Sequence, residues 1–138
     1  MQLLKLVYIA HGWHLGYTGQ ALIAEEVQAW RHGPVIKELY DRIRHYGSSA
    51  VRGLVAPNAF GGMPQAVGGE VVPLLDGVWK SYSRFSGIEL SEMTHRPDTP
   101  WSVAWHLLGG KGTKFAPISN DLIRDHYQGK IREAQQRG

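Results

Sequence analysis

The sequence lacks cysteine, and it lacks any long hydrophobic run. Without cysteine the chain can form neither a disulfide scaffold nor a thiolate metal site, and it has no thiol nucleophile. This absence suits a reducing compartment, so we expect a cytoplasmic protein. The longest apolar stretch near the start, residues 6–10, is far shorter than the ~20 residues of a membrane helix. We therefore expect no membrane partner.

The chain also has only a small excess of positive over negative charge. Fifteen Lys and Arg residues face twelve Asp and Glu residues, which gives a net charge of +3. The basic residues are dispersed along the sequence, whereas a nucleic-acid-binding protein usually gathers them on one helix or face. We do not expect nucleic acid as a partner. A DNA-binding autorepressor remains an alternative, and a salt-sensitive gel shift would support it.

Catalytic motifs are missing as well. The chain has no Gly-x-Ser-x-Gly elbow and no His-Glu-x-x-His pattern, and its only adjacent carboxylates are Glu25 and Glu26. His11 and His14 lie three residues apart on one predicted helix, and His95 could add a third ligand. A metal-dependent enzyme using these histidines is a second alternative. We expect no enzyme activity, no bound metal and no cofactor.

Helical periodicity dominates what is present. It predicts a mainly α protein, a compact single-domain bundle of about five to six helices with at most a small β element near residues 21–31. Glycine and proline dominate residues 53–69, which predicts a long irregular loop. The helices are predicted over residues 2–17, from Pro34 to Gly47, over 72–85, after Ser86, after Thr99 and after Ser119.

Tryptophan is unusually placed for a chain of this size. Several tryptophans lie beside glycine, histidine, arginine or proline, and tryptophan and arginine are enriched at interface hot spots. A core role for each tryptophan is the competing interpretation. As a set with their neighbours they predict a partner-binding surface. The candidate binding residues are Trp13, His14, Trp30, Arg31, His32, Gly33, Pro34, His95 and Trp101.

Three stretches of the sequence carry a resemblance to a known family. Residues 5–15 read Lys-Leu-Val-Tyr-Ile-Ala-His-Gly-Trp-His-Leu, and residues 29–35 read Ala-Trp-Arg-His-Gly-Pro-Val. Residues 90–95 read Leu-Ser-Glu-Met-Thr-His, and Pro100-Trp101 follow. In order and spacing these stretches resemble the Panacea domain of SocA-like antitoxins and their phage-associated relatives. On this resemblance, residues 1–131 are the domain and residues 132–138 a polar C-terminal tail.

The resemblance implies a protein-binding function. Family members neutralise a co-encoded toxin by binding it, and SocA-like members also act as adaptors that deliver the toxin to an ATP-dependent protease. The expected partners are therefore a cognate toxin and, for an adaptor, such a protease. No catalytic residues carry over from the family.

One departure from the family pattern concerns the first helix. Members usually have a lead-in helix before the Lys-Leu motif, whereas this sequence reaches the motif almost at Met1. The lead-in helix is expected to be missing, which would leave Leu4, Tyr8 and Leu15 uncovered. Exposure of apolar side chains on this scale favours a partner. We expect a homodimer, or a complex with the toxin, through the first helix.

Overall fold

A computed structural model describes residues 2–43, 71–107 and 116–137 of the chain. Over these residues the protein is mainly α, with six α-helices and one small antiparallel sheet, so the predicted fold class is confirmed. Helix α5 continues as a π-helical turn over Val103–Leu107. The elements in order are α1 Gln2–Thr18, β1 Val27–Trp30, β2 Gly33–Ile36, α2 Lys37–Ile43, α3 Val71–Tyr82, α4 Gly87–Thr94, α5 Pro100–Ser102, β3 Ala116–Ile118 and α6 Asn120–Arg137.

Helix α1 forms the centre of the molecule. Its sequence is apolar on two faces, and it packs against α3, α4, α6 and β2. The helix ends where Gly19 adopts a left-handed conformation, with φ of 74°. Leu4, Tyr8 and Leu15 are all buried within the single chain. The exposed surface that motivated a dimer through the first helix is therefore absent, because α3, α4 and α6 already cover it.

Local capping signals in the sequence are confirmed. Ser86 and Glu89 form a reciprocal capping box at the start of α4. Thr99 accepts a hydrogen bond from the backbone of Ser102, with Pro100 in the first turn of α5. At the start of α6 the Ser119 hydroxyl accepts one from the Leu122 amide. These capping signals can be recognised in the sequence because each involves residues at most three positions apart.

The prediction that a helix begins at Pro34 is wrong. Pro34 lies in β2, opposite Ala29 of β1, and the helix begins three residues later at Lys37. Strand β2 is at the edge of the sheet, whose order is β2-β1-β3. A proline is tolerated on an edge strand because its missing N–H removes no hydrogen bond from a second neighbour. The β element predicted near residues 21–31 is present as β1, whereas β3 was not expected.

Two further predictions concern the irregular segments. The predicted loop over residues 53–69 lies outside the described residues. After Ile131 the polar stretch continues α6 to Arg137, and residues 132–136 are exposed. None of the described helices combines the length and the apolar content that a membrane span requires.

The packing of α1 on α6 depends on Gly12. A Cβ atom at this position would fall inside the ring of Tyr127, so the two helices approach too closely for any side chain. We predict that Gly12→Ala destabilises the protein by about 1–3 kcal/mol, the usual effect of overpacking, or prevents folding. Chemical denaturation measures this.

Gly129→Ala is the matched control for this variant. It lies on α6, where a Cβ would meet nothing within 4 Å. Removing a helical glycine there should stabilise the protein by up to ~1 kcal/mol. Equal stability of the two alanine variants would contradict the close approach of α1 and α6.

Candidate partner-binding site

The hairpin of β1 and β2 is bound by side chains from three other elements. Its two strands meet at Trp30 and Gly33, so Arg31 and His32 form the turn. Three alternate carbonyls of this segment, at positions 30, 32 and 34, each accept a side-chain hydrogen bond. The donors come in turn from α5, α4 and α1: the Trp101 indole N–H, the Ser91 hydroxyl and the Lys5 ammonium.

Gly33 allows this arrangement in two ways. Its φ of +124° lies in a region that side chains rarely adopt. A Cβ there would also lie 3.0 Å from Lys5 Nζ, with Thr94 and His95 next nearest. Glycine at this position therefore lets α1 and α4 approach the hairpin backbone closely. Both observations give Gly33 a structural role in the hairpin.

Lys5 carries a buried charge at the base of the hairpin. Its side chain is 2% exposed, and Nζ donates to the Pro34 carbonyl oxygen at 2.7 Å. Burial lowers the pKa of Lys5 from 10.5 to about 8. The ammonium therefore stays mostly protonated at neutral pH, held by a carbonyl dipole.

An aromatic cluster lies beside the hairpin. The Trp101 and Trp105 rings stack with centroids 5.7 Å apart, and His95 meets the Trp101 ring edge-on at 5.3 Å. His106 also meets Trp101 edge-on. At the end of this helical segment Leu107 is 76% exposed. Through Trp101, whose indole N–H donates to the Trp30 carbonyl, this aromatic cluster contacts the end of β1.

The structure brings most of the predicted binding residues together. In this group Arg31 and His32 are exposed at the turn, Trp30 and His95 are half-buried, and Trp101 is buried. Arg31 and His32 are thus exposed at the surface, and Trp101 donates a hydrogen bond to the Trp30 carbonyl next to them. The seven gathered residues are Trp30, Arg31, His32, Gly33, Pro34, His95 and Trp101.

Trp13 and His14 are separate from this group. They line a cavity of about 580 Å³ between the C-terminal half of α1 and α3. The indole N–H of Trp13 donates to the Tyr82 hydroxyl oxygen at 3.1 Å, and His14 Nδ1 donates to the Gln20 carbonyl oxygen at 2.6 Å. The single surface that sequence analysis predicted is therefore two surfaces.

His11 is a structural residue. It is fully buried, its Nε2 hydrogen-bonds to Asn120 Oδ1 at 3.0 Å, and its Nδ1 accepts from the Leu22 amide at 3.3 Å. Burial lowers the pKa of His11, so the ring is neutral at pH 7. Both ring nitrogens already have protein partners. Within the described ranges no three His, Asp or Glu side chains are grouped so that they could hold a metal ion.

Sequence analysis did not assign a role to Lys5 or Ser91. Both lie within the motifs quoted above, and a signal exists for Lys5. It is a single charge in an otherwise apolar helical stretch, Leu-Leu-Lys-Leu-Val. Such a residue is expected to have a specific partner when the helix is buried, because an unpaired buried charge is costly. No comparable signal marks Ser91.

Comparison with known proteins identifies the family. The profile described as antitoxin SocA-like, Panacea domain matches residues 3–102. This chain belongs to the SocA-like antitoxin family. The matched residues run from α1 to the end of α5 and contain every residue of the hairpin site. No curated protein and no solved structure matches the chain.

The buried ammonium predicts a specific pH dependence of stability. Between its folded pKa of about 8 and its unfolded value of 10.5, Lys5 binds more protons in the unfolded chain than in the folded one. Stability should therefore rise with pH in that window. We predict that the free energy of unfolding, taken relative to Lys5→Met, increases from pH 8 to pH 10 by up to about 3 kcal/mol.

Urea denaturation at several pH values measures this difference. Lys80→Met is the matched control, because Lys80 is a surface lysine whose side chain is 75% exposed. The difference in the free energy of unfolding between Lys80→Met and the unmodified protein should stay constant over the same pH range. A flat difference for Lys5→Met as well would show that Lys5 is not buried as described.

Proposed function

We propose that this SocA-like antitoxin neutralises a co-encoded toxin by direct binding, and that the hairpin turn at Arg31 and His32 is the main contact. Membership of the family supports a toxin as the partner in general. It also supports a function that consists of binding and not of catalysis. The observation that carries the proposal is the set of three side-chain hydrogen bonds on the hairpin carbonyls. They hold an exposed cationic turn in one conformation.

A rigid turn is a favourable binding element. A loop that must be ordered on binding reduces affinity through lost conformational entropy, and a preorganised loop avoids this loss. Here the turn is tied to α1, α4 and α5 before any partner arrives. Its exposed side chains can then contact a toxin with little rearrangement.

The chemistry of the neighbouring surface also supports binding. Arginine and tryptophan are the residue types most enriched among interface hot spots. Arg31 lies on the turn, and the half-buried Trp105 and exposed Leu107 lie on the segment that packs beside β1. An interface with an apolar centre and a cationic edge would use all of them. This composition favours a toxin surface that presents acidic residues around an apolar side chain.

We predict that Arg31→Ala and His32→Ala each weaken toxin binding by about tenfold or more, as expected for truncated hot-spot residues. Growth rescue in cells that co-express the toxin and the dissociation constant of the purified complex both measure this. Arg132→Ala, an exposed arginine on α6, is the matched control and should bind normally. Normal rescue by both turn variants would place the toxin contact elsewhere.

A more specific form of the proposal is that the antitoxin delivers the bound toxin to a protease. An adaptor holds its toxin against an ATP-dependent protease in the cytoplasm, so the bound toxin should be degraded. We predict that the toxin's half-life in cells shortens when the antitoxin is present and the protease is active. Toxin that is neutralised but equally long-lived would show that binding alone is sufficient.

A further inference from the structure

A small cavity takes its lining from five helices, α1, α3, α4, α5 and α6, and from the segment before α5. Its volume is about 190 Å³. That is roughly six times the ~30 Å³ that one water occupies, and well below the 300–1,000 Å³ of pockets for drug-sized ligands. The size suits a single small group. Its lining comes from Tyr8, Ile9, Tyr82, Met93, Thr94, Arg96, Thr99, Pro100, His126, Tyr127 and Lys130.

Three tyrosines, Tyr8, Tyr82 and Tyr127, line this cavity, and we call it the tyrosine cavity. Tyr8 and Tyr127 are 2% and 4% exposed. Burial raises the pKa of both, and Tyr8 and Tyr82 raise that of Tyr127 further. The phenols of Tyr8 and Tyr127 are therefore protonated at neutral pH and able to donate.

The hydroxyls of Tyr8 and Tyr127 make no hydrogen bond within the part of the chain that the structure describes. The Tyr82 hydroxyl accepts from the Trp13 indole, which leaves its own hydrogen available. Buried hydroxyls in folded proteins nearly always have a partner. The Tyr8 and Tyr127 hydroxyl oxygens are not among the fully enclosed unpartnered atoms of the described residues, so an acceptor from outside the chain can reach them in the cavity.

The charged groups around the cavity identify the kind of acceptor. Arg96 and Lys130 lie at its exposed edge, and His126 is half-buried beside them. Burial and Lys130 lower the pKa of His126, whereas a hydrogen bond to the Asp98 backbone and the nearby Glu133 carboxylate raise it. No Asp or Glu is among the described residues that line the cavity. The site thus offers neutral donors at its floor and two permanent cations at its edge.

The two threonines of the lining are already engaged. The Thr94 hydroxyl donates to the Leu90 carbonyl oxygen at 2.9 Å, and the Thr99 hydroxyl donates to the Arg96 carbonyl oxygen at 2.7 Å. The free donors are therefore the phenols. Such donors form their strongest hydrogen bonds with an oxyanion, because these bonds are charge-assisted.

We propose that the tyrosine cavity binds a phosphate group, with the phenols of Tyr8, Tyr82 and Tyr127 donating to its oxygens and Arg96 and Lys130 balancing its charge. A phosphate group offers enough oxygens for three donors and two cations, whereas a carboxylate has only two. Both a free phosphate ion and a phosphorylated side chain present this chemistry. The proposal is independent of toxin binding, since none of these residues belongs to the hairpin site.

Isothermal titration calorimetry of the full chain at constant ionic strength tests the proposal. The probes are inorganic phosphate, O-phosphoserine and acetate. We expect saturable binding of one phosphate or O-phosphoserine per chain and none of acetate. Tighter binding of O-phosphoserine would assign the cavity to a phosphorylated side chain, and tighter binding of phosphate would assign it to the free ion. The absence of saturable binding of both, or equal binding of acetate, overturns the proposal.

Two variants locate the binding. Tyr8→Phe removes one hydroxyl, and Lys130→Gln removes one charge, and each should weaken phosphate binding by about tenfold, as expected for a lost bond to a charged group. Tyr17→Phe, at a residue that is 64% exposed, and Lys80→Gln are the matched controls and should bind normally. Unchanged binding by Tyr8→Phe and Lys130→Gln would show that phosphate binds elsewhere.

Thermal unfolding separates this result from misfolding. The Tyr8 hydroxyl has no partner within the described chain, so Tyr8→Phe should keep or raise the melting temperature in phosphate-free buffer. Phosphate should raise the melting temperature of the unmodified protein and not that of the variant, because only a state that binds ligand is stabilised by it. Equal phosphate shifts in both proteins would contradict the proposal.

Discussion

The three hydrogen bonds to the hairpin carbonyls are the constraint on which the rest of the structure depends. They connect residues far apart in sequence: Lys5 reaches position 34, Ser91 reaches position 32, and Trp101 reaches position 30. Through them α1, α4 and α5 are fixed relative to one short hairpin. Each of the three family motifs contributes to this junction, so their order in the sequence reflects a single structural unit.

Burying Lys5 is unfavourable for stability and useful for specificity. The lowering of its pKa from 10.5 to about 8 corresponds to a penalty of about 3 kcal/mol for keeping the ammonium charged. A methionine would avoid that penalty but leave the Pro34 carbonyl without its partner. Because the buried ammonium donates to the Pro34 carbonyl oxygen, it ties the hairpin to α1 at this place. Polar groups in a core often serve such a role.

The sequence predicted the features that depend on neighbouring residues and missed those that depend on tertiary contacts. The caps at Ser86 and Thr99 were predictable because donor and acceptor are three residues apart. Pro34 suits both a first helical turn and an edge strand, and its pairing with Ala29 across the hairpin decides between them. The helical stretches and the family motifs were likewise recognisable. In the candidate site, Arg31 and His32 were predicted as binding residues, whereas the contacts that support their turn were not.

The tyrosine cavity could not be predicted, since its hydroxyls come from α1, α3 and α6 and meet only after folding. For the hairpin the most direct measurement is amide hydrogen exchange of the antitoxin, free and bound to its co-encoded toxin. We expect added protection over residues 29–35 and 101–107, with little change in the cavity between α1 and α3 beside Trp13. Protection confined to that cavity, with the hairpin amides unchanged, would contradict this expectation.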